Sequence, residues 1–482
     1  MKEETIKDGI VESTGSNDQS NSPGTEGKTP VVAKIFIPSF IVITSLFALW
    51  GFANDITNPM VAAFKKVMPE LSNMESAFVQ LAFYGGYATM AIPAALFIRK
   101  FSYKVGILIG LGLYATGALL FYPAAKFEIF GFFLASIYIL TFGLAFLETT
   151  ANPFILYMGD KETATQRLNL AQAFNPMGSL FGMLVAQIAV ISHLQSTDTY
   201  TTKTYGMTYD KLDNTVKASI RAHDLGTIST PYILLGLFVL VMFIVILLLK
   251  VPEKKDHDSI DLMSTVALLF KNPRYLGGVV AQTFYVGAQI MMWTFIFQYV
   301  ENLNLHLKLI GPEAAPGAKP IVATWWNMAA MISFLSSRWI STFLMRYIKP
   351  VTLMLLFAVG GIATTLGTVF IVGYGGLICL AATSIFMSLM FPTIYGIALK
   401  DMGDEAKLAS AGLIMAIVGG ALMPPLQASI MDIGGPGFSD KLFFGYVPEV
   451  NLSFLLPTIC FVVIAVYSFF VWKHYKNKGI HS

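Results

Sequence analysis

The chain has 482 residues, of which 55% are hydrophobic and only 13% are charged, and its formal net charge is +3. Soluble proteins average about 25% charged residues, so the composition excludes a chain solvated mainly by water. No basic block interleaved with aromatic residues is present, which argues against a nucleic-acid partner. The expected solvent is the lipid bilayer.

Residues 1–34 differ in kind from the rest of the chain. They are rich in Ser, Gly, Asn and Thr and contain no apolar core, so we expect a disordered cytoplasmic tail. A cleaved signal peptide is not expected, because the first apolar run begins near Ile35 and is too long for one.

Twelve apolar runs follow the tail. A helix needs about 20 mostly apolar residues to cross the hydrocarbon core of a bilayer. The runs occupy residues 35–64, 76–98, 103–123, 129–158, 166–194, 230–250, 274–300, 321–346, 350–372, 374–399, 408–432 and 452–472. They lack the period-two alternation of a β-barrel, so we predict an all-α integral membrane protein with twelve transmembrane helices.

A charged segment at 251–271 divides the runs into two sets of six. The predicted organisation is an N-terminal six-helix domain at 35–250, this cytoplasmic linker, a C-terminal six-helix domain at 272–475 and a cytoplasmic tail at 476–482. Residues 195–229 form a long external loop. The string FIRKFSYKVGILIGLGL after the second run is echoed by LMRYIKPVTLMLLFAVG after the eighth. Pseudo-symmetric halves of this kind predict a solute site between them, near the membrane midplane.

Lysine and arginine are distributed unevenly over the loops between the runs. When both termini are placed inside, the inside segments hold about twice as many of these residues as the outside loops. We therefore expect a multi-pass protein of the cell (inner) membrane with both termini in the cytoplasm.

Two acids lie deep within predicted spans. Asp55 occurs in LWGFANDITNPM and Glu148 in FGLAFLETTANPF. A charge at mid-membrane costs about 2.5–3.5 kcal/mol on insertion scales, so such acids usually have a function. Burial favours the neutral form of a carboxyl, so both are candidates for taking up a proton on one side and releasing it on the other. A sodium ion, held by a carboxylate with nearby threonine hydroxyls, is the alternative coupling ion, and a purely structural acid is a further one.

Amide side chains lie on the same helix faces as these acids in the first and fourth spans, and they form stripes of their own in the fifth and seventh. Together with Asp55, we predict that six amides bind the substrate: Asn58, Asn152, Gln172, Asn175, Gln282 and Gln289. Tyr285 and Trp293, which lies one turn after Gln289, are predicted to bind it as well. An amide offers donors and an acceptor together, which suits a neutral polyol better than an ion. Hydrogen bonding between helices accounts equally well for any single amide. Trp293 fits either a sugar-stacking role or an interfacial belt.

Other functional classes are less compatible with the sequence. An enzyme would need a nucleophile and base, or a metal cluster, within the spans; the six histidines fall in predicted loops and tails. We expect no metal and no cofactor. A drug or metabolite antiporter would have a more apolar pocket, and a membrane nutrient receptor would need a larger soluble domain. The expected partners are a small solute and lipid, with the protein acting as a monomer.

Four strings carry a resemblance to a known family: AFLETTANPFILYMGD, RLNLAQAFNPMGSLFG, AQTFYVGAQ and FMSLMFPTIYGIALKDMG. They resemble the fucose:proton symporter family of the major facilitator superfamily, from about residue 40 to the end except for 195–229. The resemblance implies two six-helix domains, alternating access and uptake of L-fucose or a related hexose with a proton. It also implies that Glu148 carries the proton, that Asp55 contacts the sugar, and that Gln172 and Asn175 are sugar-binding amides.

One departure concerns the first helix. The tryptophan before Asn-Asp-Ile lies three residues closer to that string than in the family. An ungapped match from Trp50 therefore places Asn58 at the family's acid, whereas the proline three places after Ile56 favours Asp55. Both positions lie within one turn of the same helix face.

Overall fold

The computed structural model of the protein describes residues 30–57, 60–68, 73–207, 209–249, 269–309, 319–431, 433 and 442–477. Nearly all of these residues are helical, which confirms the predicted all-α membrane fold. The described strands, Leu442–Phe443 and Val447–Pro448, form one short antiparallel pair. Eleven helical segments in the described part of the chain are long and apolar enough to cross a membrane.

The described part of the N-terminal half contains ten α-helices. They are α1 (Ile37–Thr57), α2 (Met60–Val67), α3 (Asn73–Lys100), α4 (Tyr103–Leu119), α5 (Phe121–Phe127), α6 (Phe130–Tyr157), α7 (Ala164–Gln172), α8 (Asn175–Val185), α9 (Asp198–Tyr205) and α10 (Asn214–Leu248). A π-helical turn, Ala186–Val190, extends α8.

The C-terminal half continues the numbering. Its helices are α11 (Pro273–Thr294), α12 (Ile296–His306), α13 (Ala323–Leu344), α14 (Pro350–Phe370), α15 (Tyr374–Met387), α16 (Met390–Leu399), α17 (Ala406–Met415), α18 (Gly419–Met431), α19 (Glu449–Ser453) and α20 (Leu455–Asn477). The predicted eighth span is α13. Its length would cross a bilayer, but it carries Arg338 and several polar residues and is not among the eleven apolar segments.

The sixth span begins earlier than predicted. Helix α10 starts at Asn214, not near residue 230, so much of the predicted external loop at 195–229 is helical, including α9. Asp213 caps this start: its Oδ2 accepts a hydrogen bond of 3.2 Å from the backbone N–H of Thr215. Hydropathy alone missed these first turns because their polar residues do not count toward an apolar run.

Proline divides two of the predicted spans. A proline has no N–H to donate, so the carbonyl four residues before it loses its helical partner. The run at 166–194 breaks into α7 and α8 beside Pro176, and the run at 374–399 breaks into α15 and α16 beside Pro392. Each break leaves a backbone carbonyl open to another donor in the middle of a span.

The two halves are hydrogen-bonded to each other at one end of the bundle. We call this the linker end, because α10 finishes and α11 starts there, at Leu248 and Pro273. Gln166 Nε2 donates to the backbone oxygen of Thr342 at 3.1 Å. One turn further along α7, Asn169 Nδ2 donates to Thr393 Oγ1, also at 3.1 Å.

Part of the predicted tail also lies at this end. The backbone N–H of Ala33 donates to the carbonyl of Met158 at 3.1 Å, and Arg167 Nη1 donates to the carbonyl of Val31 at 2.8 Å. The described end of the tail is therefore held on the connection between α6 and α7. Residues 1–29 lie outside the described residues.

Candidate functional site

Glu148 lies in the middle of α6, where that helix faces both α3 and the C-terminal half. Tyr87 of α3 donates a hydrogen bond of 2.8 Å from its hydroxyl to Glu148 Oε1. Tyr395, from α16 of the opposite half, lies within electrostatic reach of the same carboxyl. The predicted proton-carrying acid thus stands between the halves and is not buried within one of them.

The two amides nearest to Glu148 are joined directly. Asn152 follows Glu148 by one turn of α6, and its Oδ1 accepts a hydrogen bond of 2.9 Å from Gln172 Nε2 on α7. Asn152 Nδ2 is buried and has no hydrogen-bond partner among the described residues. This pair therefore keeps one donor for a ligand, as the predicted sugar site requires.

Arg338 of α13 is buried and binds the carbonyls that the prolines leave open. Its Nη1 donates at 3.0 Å to the carbonyl of Gln172, four residues before Pro176, and its Nε donates to the carbonyl of Ser388, four residues before Pro392. Its guanidinium also lies 4.6 Å from the centre of the Phe334 ring. One cation thus joins the broken spans of both halves beside the amide pair.

A third proline acts in the same way next to Glu148. Pro153 removes the helical partner of the Thr149 carbonyl, and the hydroxyl of Ser410, on α17 of the other half, donates to that carbonyl at 3.1 Å. Two of the carbonyls that these prolines leave open, those of Gln172 and Thr149, therefore bind donors from the opposite half around the candidate site.

Helix α11 contributes polar groups without partners. Gln282 and Tyr285 are both fully buried. Both amide atoms of Gln282 and the hydroxyl of Tyr285 lack hydrogen-bond partners among the described residues. A buried polar group left unpaired costs about 1–3 kcal/mol, so these atoms are poised for a polar ligand. Tyr285 lies within electrostatic reach of Arg338.

Trp293 packs against other side chains of the C-terminal half. It is half-buried, and its Nε1 donates to Ser384 Oγ at 3.2 Å. Its ring packs edge-on against Phe334 at 5.1 Å between centroids. Phe334 also contacts Arg338, so these three side chains form one continuous face on the C-terminal half.

The remaining predicted residues are placed less closely together. Asp55 is buried on α1, 3.4 Å from Asn54 Nδ2 and within electrostatic reach of Tyr84. Asn175 is half-buried and donates to the Phe47 carbonyl at 3.2 Å, a contact between helices. Gln289 is half-buried on α11. Asn58 lies outside the described residues, so the choice between Asp55 and Asn58 stays a prediction.

Two residues of this arrangement were not among the predicted site residues. The sequence could have indicated Arg338 as a functional residue, because an arginine inside a membrane span is as costly as an acid. The sequence gives no such indication for Tyr87, since a tyrosine in an apolar run is usually a packing residue. The site places an acid on the N-terminal half and a cation on the C-terminal half, with amides between them. Among the described residues no group of three or more histidine, cysteine or acidic residues could hold a metal ion.

Comparisons with known proteins show the family of the chain. A family model described as the Major Facilitator Superfamily matches residues 35–424. The chain is 55% identical over 448 residues to the L-fucose-proton symporter of Haemophilus influenzae, covering 92% of this chain and 99% of that protein. It is 30% identical over 445 residues to the L-fucose-proton symporter of Escherichia coli, covering 91% and 94%.

A solved structure gives the same result for the fold. The crystal structure of FucP, a Major Facilitator Superfamily transporter in the outward conformation, superposes with a TM-score of 0.75 at 29% identity, covering 90% of this chain and 99% of that chain. The sequence match and the shared fold extend over both halves of the chain. The chain belongs to the fucose:proton symporter family of the Major Facilitator Superfamily.

Proposed function

We propose that the protein is a symporter that imports a monosaccharide, L-fucose or a related hexose, together with a proton by alternating access. The carrying observation is the position of Glu148, a carboxyl between the halves that is hydrogen-bonded to Tyr87 and lies one turn from the Asn152–Gln172 amide pair. The names of the 55% and 30% identical relatives support both the sugar and the proton.

In this proposal the N-terminal half carries the proton, and both halves bind the sugar. Glu148 carries the proton, and Asp55 accepts hydroxyl hydrogen bonds and couples sugar to proton. The amides Asn152, Gln172 and Asn175 bind the sugar from the N-terminal half. From the C-terminal half, the unpaired atoms of Gln282 and Tyr285 bind it, with Gln289, while Trp293 packs on its ring. Asn58 is proposed as an additional contact.

The transport cycle follows from differential affinity. Protonation of Glu148 removes a charge beside the amide pair and favours sugar binding, and loss of the proton on the other side releases both. The hydrogen bonds of Gln166, Asn169 and Arg338 across the halves must break for the linker end to open. Their presence and the likeness to FucP in its outward conformation support an outward-facing state here.

The proposal includes the setting of the protein. The linker end and both termini face the cytoplasm, and the protein acts as a monomer in the lipid bilayer of the cell (inner) membrane. The coupling ion is the proton and not sodium, because the relatives are named as proton symporters.

The test is uptake into proteoliposomes by the wild type and by Glu148→Gln. An inward proton gradient should drive uphill uptake of a radiolabelled sugar by the wild type only, while Glu148→Gln still exchanges sugar across the membrane. Uphill uptake by the variant would refute the role of Glu148. A panel of L-fucose, glucose, galactose and N-acetylated hexoses identifies the substrate, and a sodium gradient without a proton gradient tests the alternative ion.

A further inference from the structure

Tyr87 is the residue of α3 that touches Glu148. It is 5% exposed, and its hydroxyl donates to Glu148 Oε1 at 2.8 Å. A hydrogen bond to a carboxylate is about twice as strong as one to a neutral acceptor, so it is stronger when Glu148 is ionised than when it is protonated.

The packing around Tyr87 holds its hydroxyl in place. Gly86, the preceding residue, is pressed against α6: a Cβ there would lie 2.7 Å from the Thr141 Cβ. On the other side, Phe83 packs edge-on against the Tyr87 ring at 5.7 Å between centroids. These contacts keep α3 close to α6 and pack the Tyr87 ring beside Glu148.

Few other groups act on this carboxyl. Among the described residues, no lysine, arginine or histidine forms an ion pair with Glu148. From α16 the Tyr395 hydroxyl lies within electrostatic reach, and from α17 the Ser410 hydroxyl binds the neighbouring Thr149 carbonyl. On α3 itself Tyr84 lies one turn away and within electrostatic reach of Asp55 instead. Among the described residues, Tyr87 is thus the group whose side chain hydrogen-bonds to Glu148 and directly favours its charged form.

We propose that Tyr87 is a positioning residue for proton coupling, whose hydroxyl holds the ionised Glu148 and so enables the acid to give up its proton at the inner side. This inference rests on the proposed role of Glu148. Without the hydroxyl, the low-dielectric site would keep Glu148 protonated to higher pH. The step that needs deprotonation would slow, whereas exchange of sugar by the protonated carrier would continue.

The experiment compares Tyr87→Phe, Tyr84→Phe and Glu148→Gln with the wild type in proteoliposomes. Two rates are measured for each: sugar exchange at equal concentrations as a function of pH, and net uptake driven by a proton gradient. For Tyr87→Phe the exchange profile should move about one pH unit toward alkaline values, about tenfold in proton affinity, with net uptake slowed about tenfold. Tyr84→Phe, one turn away, should keep the wild-type exchange profile.

Each outcome of this experiment either supports or overturns the inference. An unchanged or acid-shifted profile, or a parallel loss of exchange and net uptake in folded Tyr87→Phe, overturns the inference. If Tyr87→Phe does not fold, 3-fluorotyrosine at position 87 replaces it. That side chain keeps the shape and is a stronger donor, so its profile should move toward acid values, and no movement overturns the inference. Uphill uptake by Glu148→Gln would instead overturn the proposed function itself. If Glu148→Gln is uncoupled but the exchange profile of Tyr87→Phe is not shifted, only this inference is overturned.

Discussion

The Nη1 atom of Arg338 lies 3.0 Å from the backbone oxygen of Gln172, a residue of the opposite half. The side chain of Gln172 meanwhile donates to Asn152, one turn from Glu148. A single residue of α7 therefore contacts both the amide pair that we propose to bind sugar and the cation that closes the halves. Through Gln172, the proposed sugar-binding amides are therefore connected directly to the interface between the halves.

Removing the Arg338 guanidinium should loosen the linker end. In Arg338→Met the stem keeps its packing, but the carbonyls of Gln172 and Ser388 lose their donor. One charge-assisted hydrogen bond is worth about 1.5 kcal/mol, so opening should become about tenfold more frequent. The measurement is maleimide labelling of a cysteine placed at Thr342, which is buried in the closed state. Arg346→Met is the matched control, since Arg346 is exposed, and labelling equal to this control would contradict the prediction.

Replacing Gln282 should separate stability from function. Its amide is buried without partners among the described residues, so Gln282→Leu removes a desolvation cost of about 1–3 kcal/mol and should raise the unfolding temperature in detergent. Sugar affinity should fall, because the ligand loses a donor and an acceptor. Gln427→Leu is the control: that buried amide donates to Ser453 at 3.1 Å and only its Oε1 lacks a partner among the described residues, so its replacement should stabilise the fold less than Gln282→Leu does and should leave sugar binding unchanged. Wild-type sugar affinity in Gln282→Leu would exclude the contact.

The hydrogen bond from Asn169 to Thr393 should contribute to closure as a pair. A double-mutant cycle with Asn169→Ala and Thr393→Val should give a coupling energy of about 0.6 kcal/mol, typical of hydrogen bonds between membrane helices. The measured quantity is again labelling at the linker end. The bond between Thr383 and Thr364 lies within the C-terminal half, so its cycle should affect unfolding without affecting labelling. Strictly additive effects of Asn169→Ala and Thr393→Val would rule out the coupling.

Close packing of α1 on α8 should make Gly178 irreplaceable. A Cβ at this position would lie 1.7 Å from the backbone oxygen of Ala48, which a rigid helix cannot avoid. Gly178→Ala should destabilise the protein by about 3 kcal/mol, measured as lost folded protein after extraction and a lower unfolding temperature. Gly131→Ala on α6 meets nothing within 4 Å and should be neutral or slightly stabilising. Equal stability of the two variants would show that α1 adjusts.

Much of the protein can be read from the sequence, because the bilayer imposes simple rules. Long apolar runs must be helices, since backbone groups in lipid have to be satisfied within the segment. The same cost identified Glu148 and Asp55 without any knowledge of neighbours. The recurrence of amides along helix faces predicted Asn152, Gln172 and Asn175, and the family resemblance implied the last two as well. Boundaries were less well predicted: α10 starts at Asn214 because a polar cap, and not hydropathy, fixes its beginning.

The prolines mark what the sequence determined and where its information ended. Pro153, Pro176 and Pro392 have no N–H, so their positions alone dictate that the carbonyls of Thr149, Gln172 and Ser388 need other donors. Only the tertiary structure decides which donors bind these carbonyls: Ser410 donates to Thr149, and Arg338 donates to Gln172 and Ser388. These partners lie far away in the chain. The bonds from Ser410 to Thr149 and from Arg338 to Gln172 form because the two halves pack against each other, whereas Arg338 and Ser388 meet within the C-terminal half. The partner of Glu148 is also decided by tertiary structure, since the hydroxyl of Tyr87 reaches it across the contact between α3 and α6 within the N-terminal half.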